Sequence, residues 1–298
     1  MRWKRGHTGG IEDRRAQGGL GGGGFGMGGG SMPIPVGVGG GAGVILVLIF
    51  LALQLFGGGG GSGGGGGLGG ALSPIGGGAV EPGQSVDLSN NGDMVEFMGY
   101  VLDDANALWA DTFQRAGQPY TATVLVLFEG GTQSGCGAAS SQTGPFYCPL
   151  DQKVYIDLDF FRELSSRFGA KGDFAQAYVL AHEVAHHVQQ QTGIESEVRQ
   201  MMQQNPSQQN ELSVRLELQA DCLAGVWAQS VYQQGDLERG DLEEGLNAAS
   251  AVGDDRIQAG AGADVNPETW THGSAEQRSS WFNRGFDSGD PAACDTFA

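Results

Sequence analysis

The chain has 298 residues, enough for one large domain or two small ones. Its 55 glycines bunch before residue 90 and do not recur at every third position, which excludes a collagen-like chain and confines the bias to one region. The formal net charge of −18 repels phosphate backbones and argues against a nucleic-acid partner, and 40% hydrophobic residues exclude a fully disordered protein.

The charge is unevenly spread. Residues 1–43 carry Arg2, Lys4, Arg5, Arg14 and Arg15 against Glu12 and Asp13, while the remainder is strongly acidic. Residues 1–34 therefore read as a basic N-terminal segment. Residues 35–56 hold no charge over 22 positions and are apolar from Val44 to Phe56 apart from Gln54, as a membrane-crossing helix requires. A signal peptide would end in a small-residue cleavage site, and ten of the eleven residues after Phe56 are Gly instead. A buried core helix would find nothing to pack against among those glycines. The basic flank precedes the span and no Lys or Arg follows it until Arg115. This predicts a single-pass protein of the inner or plasma membrane, with the N-terminus cytoplasmic and everything after residue 56 periplasmic or extracellular. Residues 57–90 read as a flexible Gly-rich linker and 91–298 as the folded domain.

All four cysteines follow the span, on the side expected to be oxidising. An even count points to two disulfides, for which the sequence allows three pairings. Cys136 and Cys148 bracket a Gly/Ser-rich loop, which favours a local bridge and leaves Cys222 with Cys294. Zinc ligation by these cysteines has no C-x-x-C spacing to support it.

Within the domain, apolar positions at three- and four-residue steps predict a helix over Asn91–Ala116. Thr121–Phe128 is β-branched and apolar and reads as a strand. Val154–Asp159 alternates and reads as an edge or half-buried strand. A short helix is expected over Phe160–Phe168, then a long one from Phe174 to about Gln191, capped by Asp173 and stopped by Gly193. Further helices are expected at 195–204, 208–233, 239–261 and 274–285. The class is α+β, mainly helical with a small sheet.

The long helix contains His182-Glu183-Val184-Ala185-His186, an H-E-x-x-H pattern. A four-residue step turns about 400°, so His182 and His186 share a face and can share a metal. Glu183 is offset by about 100° and can reach a water on that metal without ligating it. Zinc suits such a site, although His and Glu accept other divalent metals. The competing reading is a helix with two surface histidines. Downstream, Glu217 and Asp221 also lie four residues apart: Glu217 would complete the ligation and Asp221 would orient a ligating His. Alone, this E-x-x-x-D would read as a solvated acidic face. Beside the first motif, it reads as the second half of a metal site.

The motif pair resembles the gluzincin metallopeptidases of thermolysin type. More closely, the chain is similar to the bacterial membrane-anchored neutral zinc metallopeptidase family. The stretches that carry the likeness are MRWKRGHTGGIEDRR, GCGAA, GPFYCPLDQKVYIDLDFF, FGAKGDFAQAYVLAHEVAHHVQ, ELQADCLAGVWA, HGSAEQR and CDTF. Together they span nearly the whole chain outside the Gly-rich region. Ala185 stands where that family commonly shows Gly; it favours the helix and leaves the ligands in place. The resemblance implies a zincin-like fold, a Zn2+ cofactor and peptidase activity. It also implies that His272 could stabilise the oxyanion of the tetrahedral intermediate, as a later His does in thermolysin-type enzymes. On the plainer reading His272 is a loop residue before a helix capped by Ser274 and Gln277. His187 points about 100° from His186 and reads as a supporting residue. Tyr155 reads as packing, in a strand whose edge could pair an extended substrate.

The expectation is thus a membrane-anchored zinc peptidase acting on a peptide or protein substrate, with Glu183 as general base. The alternative is a non-catalytic, zinc-stabilised protein-binding module on a membrane stalk. A metal-free disulfide scaffold would require both motifs to coincide by accident.

Overall fold

A computed structural model describes residues 1–17 and 91–298 of the protein. The predicted membrane span at 35–56 and linker at 57–90 lie outside the described residues. Among those described, no helix is long and apolar enough to cross a membrane. The class is α+β, mostly helical with a small sheet.

The sheet is built from β1 (Ile11–Asp13), β2 (Val124–Phe128), β5 (Phe146–Cys148) and β6 (Lys153–Asp157), in the order β1-β2-β6-β5. The first two pairings are parallel and β5 runs antiparallel to β6. β3 (Gly131–Ser134) and β4 (Gly137–Ser140) form a separate antiparallel hairpin, inside what the sequence presents as a loop. β6 corrects one expectation. It is an interior strand, not an edge, and its Val154–Asp157 stretch is buried. Alternation usually marks a half-exposed strand, but here both faces are covered. Val154 and Ile156 join the main core, while Tyr155 packs with Val126, Phe128 and Cys148 on the other side. The free edge beside the helices is β5.

The helices are α1 (Asn91–Arg115), α2 (Asp159–Arg167), α3 (Asp173–Thr192), α4 (Ile194–Gln204), α5 (Gln209–Gln234), α6 (Asp241–Ala251), α7 (Asp254–Gly260) and α8 (Ala275–Ser288). The helix expected over 239–261 is two helices, broken at Val252–Gly253. Asp173 does not cap α3; Gly172 occupies the N-cap position, and Asp173 sits in the first turn and binds the Met1 ammonium at 2.7 Å. α3 runs through the middle of the molecule, against α1, α5 and α6, and is buried almost all round. Tyr178, Trp227 and Phe282 are wholly buried around it; each such side chain contributes roughly 1.5–3 kcal/mol. α5 and α8 cross at backbone contact. A Cβ on Gly225 would lie 2.0 Å from the Phe282 carbonyl oxygen, and one on Gly285 would lie 1.8 Å from that of Cys222. Only glycine permits this approach, and it lays α8 directly over the middle of α5.

Residues 1–17 pack on the same fold as residues 91–298. β1 hydrogen-bonds along β2, Arg2 N–H donates to the Asp236 carbonyl at 2.7 Å, and Met1 is buried in the main core. The basic residues of this segment are paired with acids: Arg5 with Asp93, Arg2 with Glu238, Arg14 with Glu12 and Arg15 with Asp13.

Candidate metal centre

The middle of α3 supplies His182, Glu183 and His186, and α5 lays Glu217 and Asp221 across them. Both pairs lie four residues apart, so each helix presents one face to the other. One donor atom each from His182, His186 and Glu217 lies within 4.8 Å of the others. Glu217 Oε2 is 3.1 Å from His182 Nε2, and Oε1 is 3.6 Å from His186 Nε2. The two rings meet edge to face with centroids 4.8 Å apart.

The donors are fixed from behind. His182 directs Nδ1 to Asp221 Oδ1 at 2.9 Å, leaving Nε2 facing the common point. His186 directs Nδ1 to Gln189 Oε1 at 2.8 Å, and Gln189 in turn donates to the Leu216 carbonyl and Gln219. Asp221 is wholly buried and also takes a two-pronged contact from Arg278 of α8, at 2.8 and 2.9 Å, together with the Tyr178 hydroxyl. Burial alone would raise its pKa, but Arg278 and His182 outweigh that and hold the carboxyl below its ordinary value. Arg278, Gln189 and Tyr178 were not singled out in the sequence. Arg278 and Tyr178 reach Asp221 from other elements, at no regular spacing, whereas Gln189 lies three residues from His186 on the same helix; the only available hint for Arg278 is its place in HGSAEQR.

The electrostatics set a buried carboxylate against two imidazoles. Burial pulls the His186 pKa down, yet Glu217 overrides this and raises it to about 10. Burial likewise opposes ionisation of Glu217, but the imidazoles hold it well below the ordinary carboxylate value. Two imidazole nitrogens and a carboxylate converging on one buried point form a donor set that fits a divalent metal such as zinc.

The centre lies in the wall of a cavity of about 440 Å³ lined by Phe146, Tyr147, Phe160, Val252 and Ile257, among others. Glu183 lines it too, and its carboxylate accepts no hydrogen bond among the described residues. Burial raises its pKa, against the lowering effect of the two imidazoles. His272 also faces the cavity, from the loop before α8. Its ring Nδ1 is 3.1 Å from Asp254 Oδ1, and the other oxygen of Asp254 takes the backbone N–H groups of Thr271, His272 and Gly273. The Ser274–Gln277 capping box is formed as well, so the plain and the functional readings of His272 describe the same loop. His187 is outside the donor set: its ring binds the Tyr147 hydroxyl and the Thr121 carbonyl. Tyr155 is packed against Phe146, away from the centre.

The disulfides are Cys136–Cys148 and Cys222–Cys294. The first closes a loop that supplies one cavity wall, from Ser141 to Tyr147. The second ties the end of the chain to α5 beside Asp221.

A sequence profile for the family described as "Putative neutral zinc metallopeptidase" matches residues 1–297. The chain belongs to that family. Among its relatives is the uncharacterized protein YpfJ of Escherichia coli K12, 53% identical over 210 residues, which cover 70% of this chain and 73% of the relative. The uncharacterized protein Rv2575 of Mycobacterium tuberculosis H37Rv is 47% identical over 190 residues, covering 60% and 64%. No solved structure matches the chain. The family description implies zinc, and His182, His186 and Glu217 could hold a metal ion.

Proposed function

We propose that this family member is a working zinc peptidase, attached to a membrane, with Glu183 as its general base. One observation carries the reading: three donors, not four, converge beside an open cavity, and a buried carboxylate stands next to them with no hydrogen bond among the described residues. Structural zinc sites are closed by four protein ligands, whereas catalytic ones keep a position open. Zinc held by His182, His186 and Glu217 would supply an acidified water and polarise the scissile carbonyl.

The chain's own groups do the rest. Glu183, with its proton affinity raised by burial, takes a proton from the attacking water and passes it to the leaving amine. His272, steadied by Asp254, donates toward the oxyanion of the tetrahedral intermediate. Asp221 keeps the His182 proton on Nδ1, and Arg278 keeps Asp221 ionised. The substrate is a peptide or protein segment entering the cavity beside β5. Attachment through residues 35–56 rests on their 22 uncharged positions.

The test compares wild type with Glu183→Gln for zinc content and for hydrolysis of a random peptide library. Both should hold one zinc, with the variant slower by roughly 10²–10⁴-fold. Equal cleavage by the two would remove Glu183 from the mechanism. A zinc-loaded wild type that binds peptides without cleaving any would leave the non-catalytic module instead.

A further inference from the structure

We infer that residues 1–17 and residues 91–298 occupy the same compartment, the oxidising one in which the disulfides form. The N-terminal arm is structural, not an appendage. Leu125 N–H donates to the Gly10 carbonyl at 3.0 Å and Arg14 N–H to that of Leu127 at 2.8 Å, so the arm is stitched at both ends of β1. Trp3 meets Phe97 edge-on with ring centroids 5.7 Å apart, Glu12 pairs with Lys153, and His7 with Asp103 at 2.8 Å. The domain is shaped to receive it: a Cβ on Gly99 would lie 1.5 Å from the His7 carbonyl oxygen, so α1 leaves out a side chain where the arm crosses.

Together these contacts hold the two described parts against each other. Backbone hydrogen bonds cannot be made through a bilayer. A second copy supplying β1 would change nothing, because every copy inserts in the same sense. Both disulfides lie in the part of the domain that the arm joins, and such bridges persist on the oxidising side. The positive flank then has a different cause from retention in the cytoplasm. It complements the acidic surface onto which the arm folds, as Arg5 against Asp93 and Glu96 and Arg2 against Glu238 illustrate. The inference holds whether or not the centre hydrolyses peptides.

The experiment uses the full chain in bacterial cells, with Thr8→Cys and Ser207→Cys made separately. Both positions are exposed and the native cysteines are paired, so each variant offers one thiol. A maleimide unable to cross the inner membrane is applied before and after lysis. The expected result is that both variants react fully before lysis. Reaction of Ser207→Cys before lysis, with Thr8→Cys reacting only after it, overturns the shared compartment. Reaction of both only after lysis overturns the assignment to the oxidising side.

Discussion

Helix α3 contributes to two groups of three side chains able to hold a cation, one at its first turn, completed from α6, and one at its middle, completed from α5. At the first, Asp173 gathers with Asp241 and Glu244. All the donors there are carboxylates, Asp241 buried and the other two partly exposed, and the Met1 ammonium already lies 2.7 Å from Asp173 and 3.3 Å from Asp241. At the second, two imidazoles and Glu217 converge, and each imidazole is held from behind by a further side chain, Asp221 or Gln189. The comparison separates charge balance from coordination. Clustered acids need only a positive charge nearby, which an ammonium satisfies, whereas a metal centre needs donors already oriented before the ion arrives.

The largest expected effect breaks the centre itself. His182→Ala, His186→Ala or Glu217→Ala should abolish bound zinc, while Asp241→Asn, in the other group, should leave one equivalent. Elemental analysis of purified protein decides this; full zinc in Glu217→Ala would remove that residue as a ligand.

The next effect is on stability. Arg278→Met strands the buried Asp221 carboxylate without its counter-ion and should cost about 3–5 kcal/mol in urea unfolding. Glu238→Gln, in the ion pairs of the exposed rim near Met1, should cost less than about 1 kcal/mol. Similar losses for the two would mean that burial does not distinguish the two ends of α3.

A third measurement concerns chemistry without stability. His272→Ala should keep zinc and KM while kcat falls roughly 10²–10³-fold, as for loss of one oxyanion donor. If the variant instead melted early and lost activity in step with its folded fraction, His272 would be a loop residue only.

What was legible in the sequence follows the range of each interaction. His182 with His186, and Glu217 with Asp221, repeat at helical spacing, so each motif announces its own face; that the two faces meet comes from packing. Asp254 and Arg278 carry no such mark. Asp254 holds His272 across a helix, and Arg278 reaches Asp221 from 57 positions further along the chain. β1 was invisible for another reason: Ile11, Glu12 and Asp13 are too few to show a period and two of them are charged. With β1 unseen, the basic residues beside it read as a membrane flank, whereas in the fold they pair with acids, as Arg14 does with Glu12 and Arg15 with Asp13. The Val154–Asp157 alternation was seen, but the sequence did not contain the second covering layer that buries both its faces.

The smallest effect sharpens the comparison through pH. The Glu244 carboxyl is pushed up to about 6 from an ordinary value of 4.5, by burial first and by the neighbouring Asp173 charge next. The folded protein thus binds this proton more tightly than the unfolded chain. The stabilisation is fully present below pH 4.5 and is lost as pH rises through about 6, so at pH 7 the ionised group carries a net penalty. Glu244→Gln removes the charge and keeps an amide oxygen able to accept the Phe174 N–H, now 3.2 Å from the carboxylate. The variant should be more stable than wild type at pH 7, by at most about 1 kcal/mol once solvent screening of a half-exposed group is allowed for. That advantage should shrink to nothing by pH 4.5, where both chains carry a neutral side chain in the fold. Paired urea titrations at the two pH values measure it. An advantage that persists unchanged in acid would mean that the gain comes from packing, and that the charges at this end of α3 are already fully balanced.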